Sequence, residues 1–99
     1  CEIGNNVSSI DNDAFYSYSS LASITIGNSV TSIGEYAFRG CSGLETIICR
    51  RTTPPNIYSN TFNGIDKTII TIYVPAESVN EYKVAQNWSE YADRIQAIQ

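Results

Sequence analysis

A 23-residue internal repeat constrains the fold of this chain more than any other feature. Residues 3–10 match residues 26–33 at their apolar positions, and Ala14 and Phe15 match Ala37 and Phe38. A fixed period of 20 to 50 residues is typical of proteins in which each repeat forms one coil that stacks on the next. The apolar positions recur while the others vary, as expected when only inward side chains are constrained. The sequence therefore predicts stacked coils.

A third repeat is present in distorted form. Its apolar positions follow those of the second repeat by 23, 24 and 25 residues, in the pairs Ile26 and Cys49, Phe38 and Phe62, and Ile47 and Ile72. We expect the extra residues in the loop 50–55, where Pro54 and Pro55 interrupt a regular path. One domain is predicted, with units at 1–24, 25–48 and 49–74 and a terminal cap at 75–99. Because the chain starts inside a repeat, we expect further coils before it.

Within each coil, apolar residues alternate as they do in a strand with one buried face. Leu21, Ile24 and Ile26 show this pattern, and Val30 and Ile33 bracket a second extended stretch. Ala37 and Phe38 are then expected to fill the space between the two edges, from a helical turn. Successive strands are expected to stack in parallel, about 4.8 Å apart.

The outward positions of these strands form ladders, which are the natural ligand surface of stacked repeats. The candidate partner-binding residues are Ser23, Thr46 and Thr71 in one ladder and Thr25, Ile48 and Tyr73 in the next, where Glu2 also lies. Ile48 and Tyr73 have the composition of an interaction patch. Packing of Tyr73 beneath the cap or an adjacent loop is the alternative. Four strands of about four residues give a face of roughly 200 to 250 Å², against about 800 Å² per partner in a standard interface.

A helical cap is predicted after the last strand, because an uncovered end would expose apolar side chains. Ser78 and Glu81 have the spacing of a capping box. Apolar and aromatic residues then continue one sealing face, at Val79, Tyr82, Ala85, Trp88, Tyr91, Ile95 and Ile98. A carbohydrate site at Trp88 is the alternative interpretation of that side chain.

Composition argues against several classes of chemistry. The net charge of -4 provides no positive field for nucleic acid, and the absence of histidine excludes Ser-His-Asp and Cys-His nucleophile systems. We expect no enzyme activity, cofactor or metal, and no membrane insertion by this segment, which has no long apolar run. The three cysteines, Cys1, Cys41 and Cys49, lack zinc-site or disulfide spacing and are interpreted as small core residues.

These motifs resemble the BspA-like leucine-rich-repeat family. The second repeat carries the family pattern at Ile26, Val30, Ile33, Gly34, Ala37, Phe38, Cys41, Leu44 and Ile47. The first repeat departs from it, with Asp11 for the glycine and Tyr18 for the cysteine. The second half is similar to the terminal unit of such proteins in Bacteroides-like bacteria. The resemblance implies an α/β leucine-rich-repeat solenoid, in secreted or cell-surface proteins that bind host, matrix or neighbouring-cell proteins.

Two other functions remain open. The segment could serve only as a structural cap or spacer, or it could be an accessory, glycan-binding domain of a larger secreted enzyme. The first coil also predicts self-association, because nothing in the sequence covers its apolar positions, which are Ile3, Val7, Ile10 and Phe15.

Overall fold

The computed structural model describes residues 1–98 and consists of short parallel strands stacked coil upon coil. The strands are β1 (Glu2–Ile3), β2 (Ser9–Ile10), β3 (Ser23–Ile26), β4 (Ser32–Ile33), β5 (Thr46–Cys49), β6 (Thr71–Val74) and β7 (Ile95–Ala97). One sheet has the order β1-β3-β5-β6-β7, and a second sheet pairs β2 with β4. All these pairs are parallel, which confirms the predicted stack.

The inward side chains of the long sheet form two columns of buried aliphatic and thiol groups. One column contains Ile24, Ile47 and Ile72, and the other contains Ile26, Cys49 and Val74, all fully buried. Burial of each large aliphatic side chain contributes about 1.5–3 kcal/mol. The β-branched residues also suit a pleated surface that is covered on one side.

A stack of phenylalanine rings fills the other side of the core. The ring centroids of Phe15 and Phe38 lie 5.1 Å apart, and those of Phe38 and Phe62 lie 5.3 Å apart. Both pairs are nearly parallel, so each coil presents a flat apolar surface to the next. The stack ends at the cap, where Trp88 and Tyr91 turn their rings at a steep angle to Phe62.

Polar side chains join consecutive coils at the turns. The Oδ1 atom of Asn12 accepts a hydrogen bond from the backbone N–H of Glu35 at 2.7 Å. In the same way, Asn5 accepts from the backbone N–H of Asn28 at 3.2 Å. These bonds provide partners for turn donors that have no place in a strand ladder.

The third coil contains its extra residues in two places. Paired residues are 23 apart at Ile26 and Cys49 and 24 apart at Ser32 and Asn56, so one residue enters within the predicted loop. The strand pair Thr46 and Thr71 is 25 apart. At the hydrogen bond from Gly40 N–H to the carbonyl of Asn63, the second extra residue has not yet entered the chain. The expectation that all the extra residues lie in 50–55 is therefore wrong for one of them, which enters between residues 63 and 71.

The cap begins helical and ends as a strand. It comprises the 3-10 helix η1 (Ala76–Ser78), the α-helix α1 (Val79–Val84) and the 3-10 helix η2 (Ser89–Arg94). Asn87 has a φ of 68°, which interrupts the helical path between α1 and η2. Instead of continuing the helical face, Ile95 and its neighbours form β7 and pair with β6. The helical expectation is thus corrected for the last residues.

The predicted capping box is also wrong. The Ser78 hydroxyl donates to the carbonyl of Thr52 at 2.7 Å and makes no capping bond within the described chain. Three further cap side chains donate to carbonyls of the same loop: Tyr82 to Arg51, Asn87 to Ile57, and Trp88 to Pro55. These four side chains therefore fasten the cap to the loop that precedes it.

The first coil is more closed than expected. Ile10 is only 6% exposed, while Ile3 and Phe15 are partly buried against the core and Val7 is 38% exposed. The expectation that all four are uncovered is therefore wrong for Ile10, which packs into the core. Cys1 is exposed rather than part of the core, because no described coil stacks on its outer side. Self-association through this coil stays a prediction, as do the unit boundaries.

Candidate partner-binding face

The outward side of the long sheet presents two columns of side chains, here called the strand face. The register aligns Ser23, Thr46 and Thr71 in the first column and Glu2, Thr25, Ile48, Tyr73 and Gln96 in the second. The six residues predicted from the sequence are thus brought together in these two adjacent columns. Their binding role stays a prediction.

Ile48 and Tyr73 lie side by side in the second column. Both are half-buried, so each keeps part of its apolar surface in contact with solvent. Their neighbours in the first column, Thr46 and Thr71, are also half-buried and carry small hydroxyl groups. This combination of an apolar pair with small polar neighbours is typical of an interface core and its rim.

The layer beneath this pair is apolar and uncharged. Cys49 lies fully buried between Ile26 and the cap side of the sheet, and burial raises the pKa of its thiol to about 12. Burial likewise raises the pKa of the Cys41 thiol. Both thiols therefore remain neutral at physiological pH, and neither is activated as a nucleophile.

A polar cleft of about 280 Å³ opens where the strand face reaches the first coil. Glu2, Thr25 and Arg50 line it, together with Gly4 and Gly27. Glu2 and Arg50 are both exposed, and no ion pair joins them among the described residues. The cleft therefore adds one charge of each sign beside the apolar pair.

The sequence missed Gln96 as a member of the strand face. Residues 95–97 were expected on a helical face, whereas their short alternation of apolar, polar and apolar side chains is also typical of a strand. Arg50 was missed as well, because its segment was treated only as a loop. In contrast, a carbohydrate site at Trp88 is wrong, since this side chain is fully buried and donates to the Pro55 carbonyl at 2.8 Å.

Residues 1–98 were compared with two further kinds of feature, a metal-binding cluster and a membrane-spanning helix. No group of three or more His, Cys, Asp or Glu side chains in this range is arranged to hold a metal ion. No helix in this range is both long and apolar enough to cross a membrane.

Comparison with protein-family models identifies the repeat. The model described as "BspA type Leucine rich repeat region (6 copies)" matches residues 1–89. The chain belongs to the BspA-type leucine-rich-repeat family. A search of curated proteins gave no match. The stacked parallel strands and the helical start of the cap agree with this membership, which confirms the predicted solenoid. BspA-type repeats form protein-interaction domains, and leucine-rich-repeat domains are typically non-enzymatic scaffolds.

Proposed function

We propose that this BspA-type segment is part of a cell-surface or secreted adhesion scaffold that binds a protein of the host matrix or of a neighbouring cell. The observation that carries the proposal is the register of the strand face. It places Ile48 and Tyr73 side by side, half-buried, next to a row of small hydroxyl side chains. An apolar and aromatic centre within a polar rim is how stable protein interfaces are composed.

The rigidity of the sheet supports this role. Ile48 and Tyr73 project from strands whose alternate residues, Ile47 and Ile72, are fully buried. Their backbones are therefore held by parallel pairing on both sides, and little conformational entropy is lost when a partner binds. Five strands provide a face of roughly 300 Å² at about 4.8 Å spacing, so this face contributes only part of a standard interface.

The test is binding of the chain to a panel of purified matrix proteins and glycans, beside the double variant Ile48→Thr and Tyr73→Thr. Threonine keeps strand propensity while removing the apolar surface. We expect saturable binding to a matrix protein to weaken at least about tenfold in the variant, as for loss of interface anchors. The matched control is Tyr58→Thr and Val84→Thr, which removes exposed apolar groups outside the strand face.

Melting temperatures of the same proteins separate binding from structure. Weakened binding with an unchanged melting temperature supports the proposal. If the double variant loses its fold, or binds as well as the unaltered chain, the segment acts as a structural cap or spacer instead. If only glycans bind, the accessory-domain alternative is favoured.

A further inference from the structure

An exposed arginine contacts two tyrosine rings on the turn side of the first two coils. The guanidinium carbon of Arg39 lies 5.0 Å from the centroid of the Tyr36 ring and 5.6 Å from that of the Tyr16 ring. Tyr36 belongs to the same turn, whereas Tyr16 occupies the position of Arg39 one repeat earlier. The cluster therefore exists only because two coils stack, and no single turn could form it.

The guanidinium in this cluster is held in position, yet its hydrogen-bonding capacity is unused. The two aromatic rings hold its position through cation–π contact. Within residues 1–98, the ion pair found joins Lys67 to Glu90, so no carboxylate of this range forms an ion pair with Arg39. An arginine with free N–H groups matches a carboxylate through two parallel hydrogen bonds.

The backbone adds an independent observation. Tyr36 has a φ of 58°, in the left-handed region that bulky side chains rarely occupy. The same position of the first coil, Asp13, has a φ of 61° and carries a residue that tolerates this conformation well. A tyrosine there carries strain without any gain in core packing, because its side chain lies outside the core. Such outliers are typical of sites with a function.

The surroundings of the cluster favour a protein as the partner. Exposed Tyr16 and Tyr18 stand among small polar residues, which are Ser17, Ser19, Ser20, Gly40, Ser42 and Gly43. Surfaces of tyrosine, serine and glycine with an arginine at the centre are typical of protein-recognising paratopes. Because the net charge is -4, recognition of an acidic group here depends on direct contact rather than on a long-range field.

We propose that Tyr16, Tyr36 and Arg39 form a second protein-binding site, in which the Arg39 guanidinium receives an aspartate or glutamate side chain of the partner. This site is separate from the strand face and does not depend on the role proposed for that face. It enlarges the surface with which the solenoid can engage a partner.

The experiment is a selection of random peptides displayed on phage against the immobilised chain, followed by titration of the selected peptides as synthetic molecules. We expect one fixed position to carry Asp or Glu. Replacing that residue by its amide should weaken binding at least about tenfold, and Arg39→Lys about fivefold, since lysine keeps the charge but not the planar fork. Tyr16→Ser should weaken binding about threefold, because one of the two contacting rings is lost.

Arg50→Lys is the matched control, since Arg50 is also exposed but lies at the strand-face cleft. Its peptide affinity should stay within about twofold of the unaltered chain. The proposal is overturned if selected peptides lack an acidic position, or bind the Arg39→Lys variant as well as the unaltered chain while circular dichroism shows both folded. Displacement of the peptide by a uronic-acid oligosaccharide at lower concentration would assign the site to an acidic sugar instead. The strand-face double variant should retain peptide binding, so failure of one proposal leaves the other standing.

Discussion

At the scale of single residues, two glycines show how stacking changes the meaning of one repeat position. Gly4 and Gly27 are 23 residues apart in the sequence and equivalent in the repeat. A Cβ atom built on Gly27 would lie 2.8 Å from the carbonyl oxygens of Ile3 and Gly4, whereas one on Gly4 would meet no described atom within 4 Å. The position excludes a side chain only where another coil lies against it.

We therefore expect Gly27→Ala to lower the free energy of unfolding by about 1–3 kcal/mol, the usual range for overpacking a closed site. Gly4→Ala should change it by less than about 0.5 kcal/mol, as for surface substitutions. Urea denaturation of the two variants measures both values. Equal effects would mean that the close approach of the first two coils is not present in solution.

At the scale of elements, the repeat made most of the long sheet predictable. The recurrence of Ile24 at Ile47 and Ile72 determined which strands pair and which side chains point inward, and the strand face followed from the same register. The cap was less predictable because most of its residues depart from the repeat pattern, although Ile95 lies one 23-residue period after Ile72. Its amphipathic spacing suits a helix, yet the left-handed backbone at Asn87 ends the helical path and the open edge of β6 pairs with β7.

The cysteines and Ser78 also show which features a local sequence pattern does not determine. Cys41 and Cys49 are buried as expected, because coils lie on both sides of them, whereas Cys1 is exposed in the first described coil. Ser78 has the right spacing for a capping box, but the sequence does not reveal that the Thr52 carbonyl lies within reach of its hydroxyl. Local pattern predicted residues inside the stack, and contacts between distant segments decided the remainder.

The role of β7 as part of the core can be tested with two aliphatic residues of the cap region. Ile95 is 4% exposed, and its replacement by alanine should lower the free energy of unfolding by about 2–5 kcal/mol, because it creates a cavity. Val84 is 80% exposed, and Val84→Ala should cost less than about 0.5 kcal/mol. Chemical denaturation provides the measurement. A small effect of Ile95→Ala would show that residues 95–97 do not pair with β6.

At the scale of the whole molecule, burial of weakly acidic groups makes the free energy of unfolding depend on pH in the alkaline range. Burial raises the pKa of the Cys49 thiol from 9.0 to about 12. Burial, with a smaller contribution from the negative charge of Glu90, raises the pKa of Tyr91 to about 12. The pKa of Tyr82 is raised as well, chiefly by burial. Above pH 9 the unfolded chain releases protons that the folded chain retains, so the unfolded state is favoured as pH rises.

We expect the free energy of unfolding to fall from about pH 9 to about pH 12, since each retained proton contributes at most about 1.4 kcal/mol per pH unit. Cys49→Ala should make this decline shallower. Cys1→Ala, which removes an exposed thiol, should leave the slope unchanged. Urea denaturation between pH 8 and 11 under reducing conditions makes the comparison. Identical slopes in all three proteins would contradict a buried, neutral Cys49.

The two extra residues of the third coil show that the number of residues in a coil can change without disturbing the stack. One enters between Cys49 and Asn56 and the other between Asn63 and Thr71, so both lie at corners and none lies on a strand. Lengthening a flexible corner costs little closure entropy, whereas a single residue added to a strand would reverse every side chain after it. Foreign peptide segments could therefore be grafted at these corners while the register of the stack is preserved.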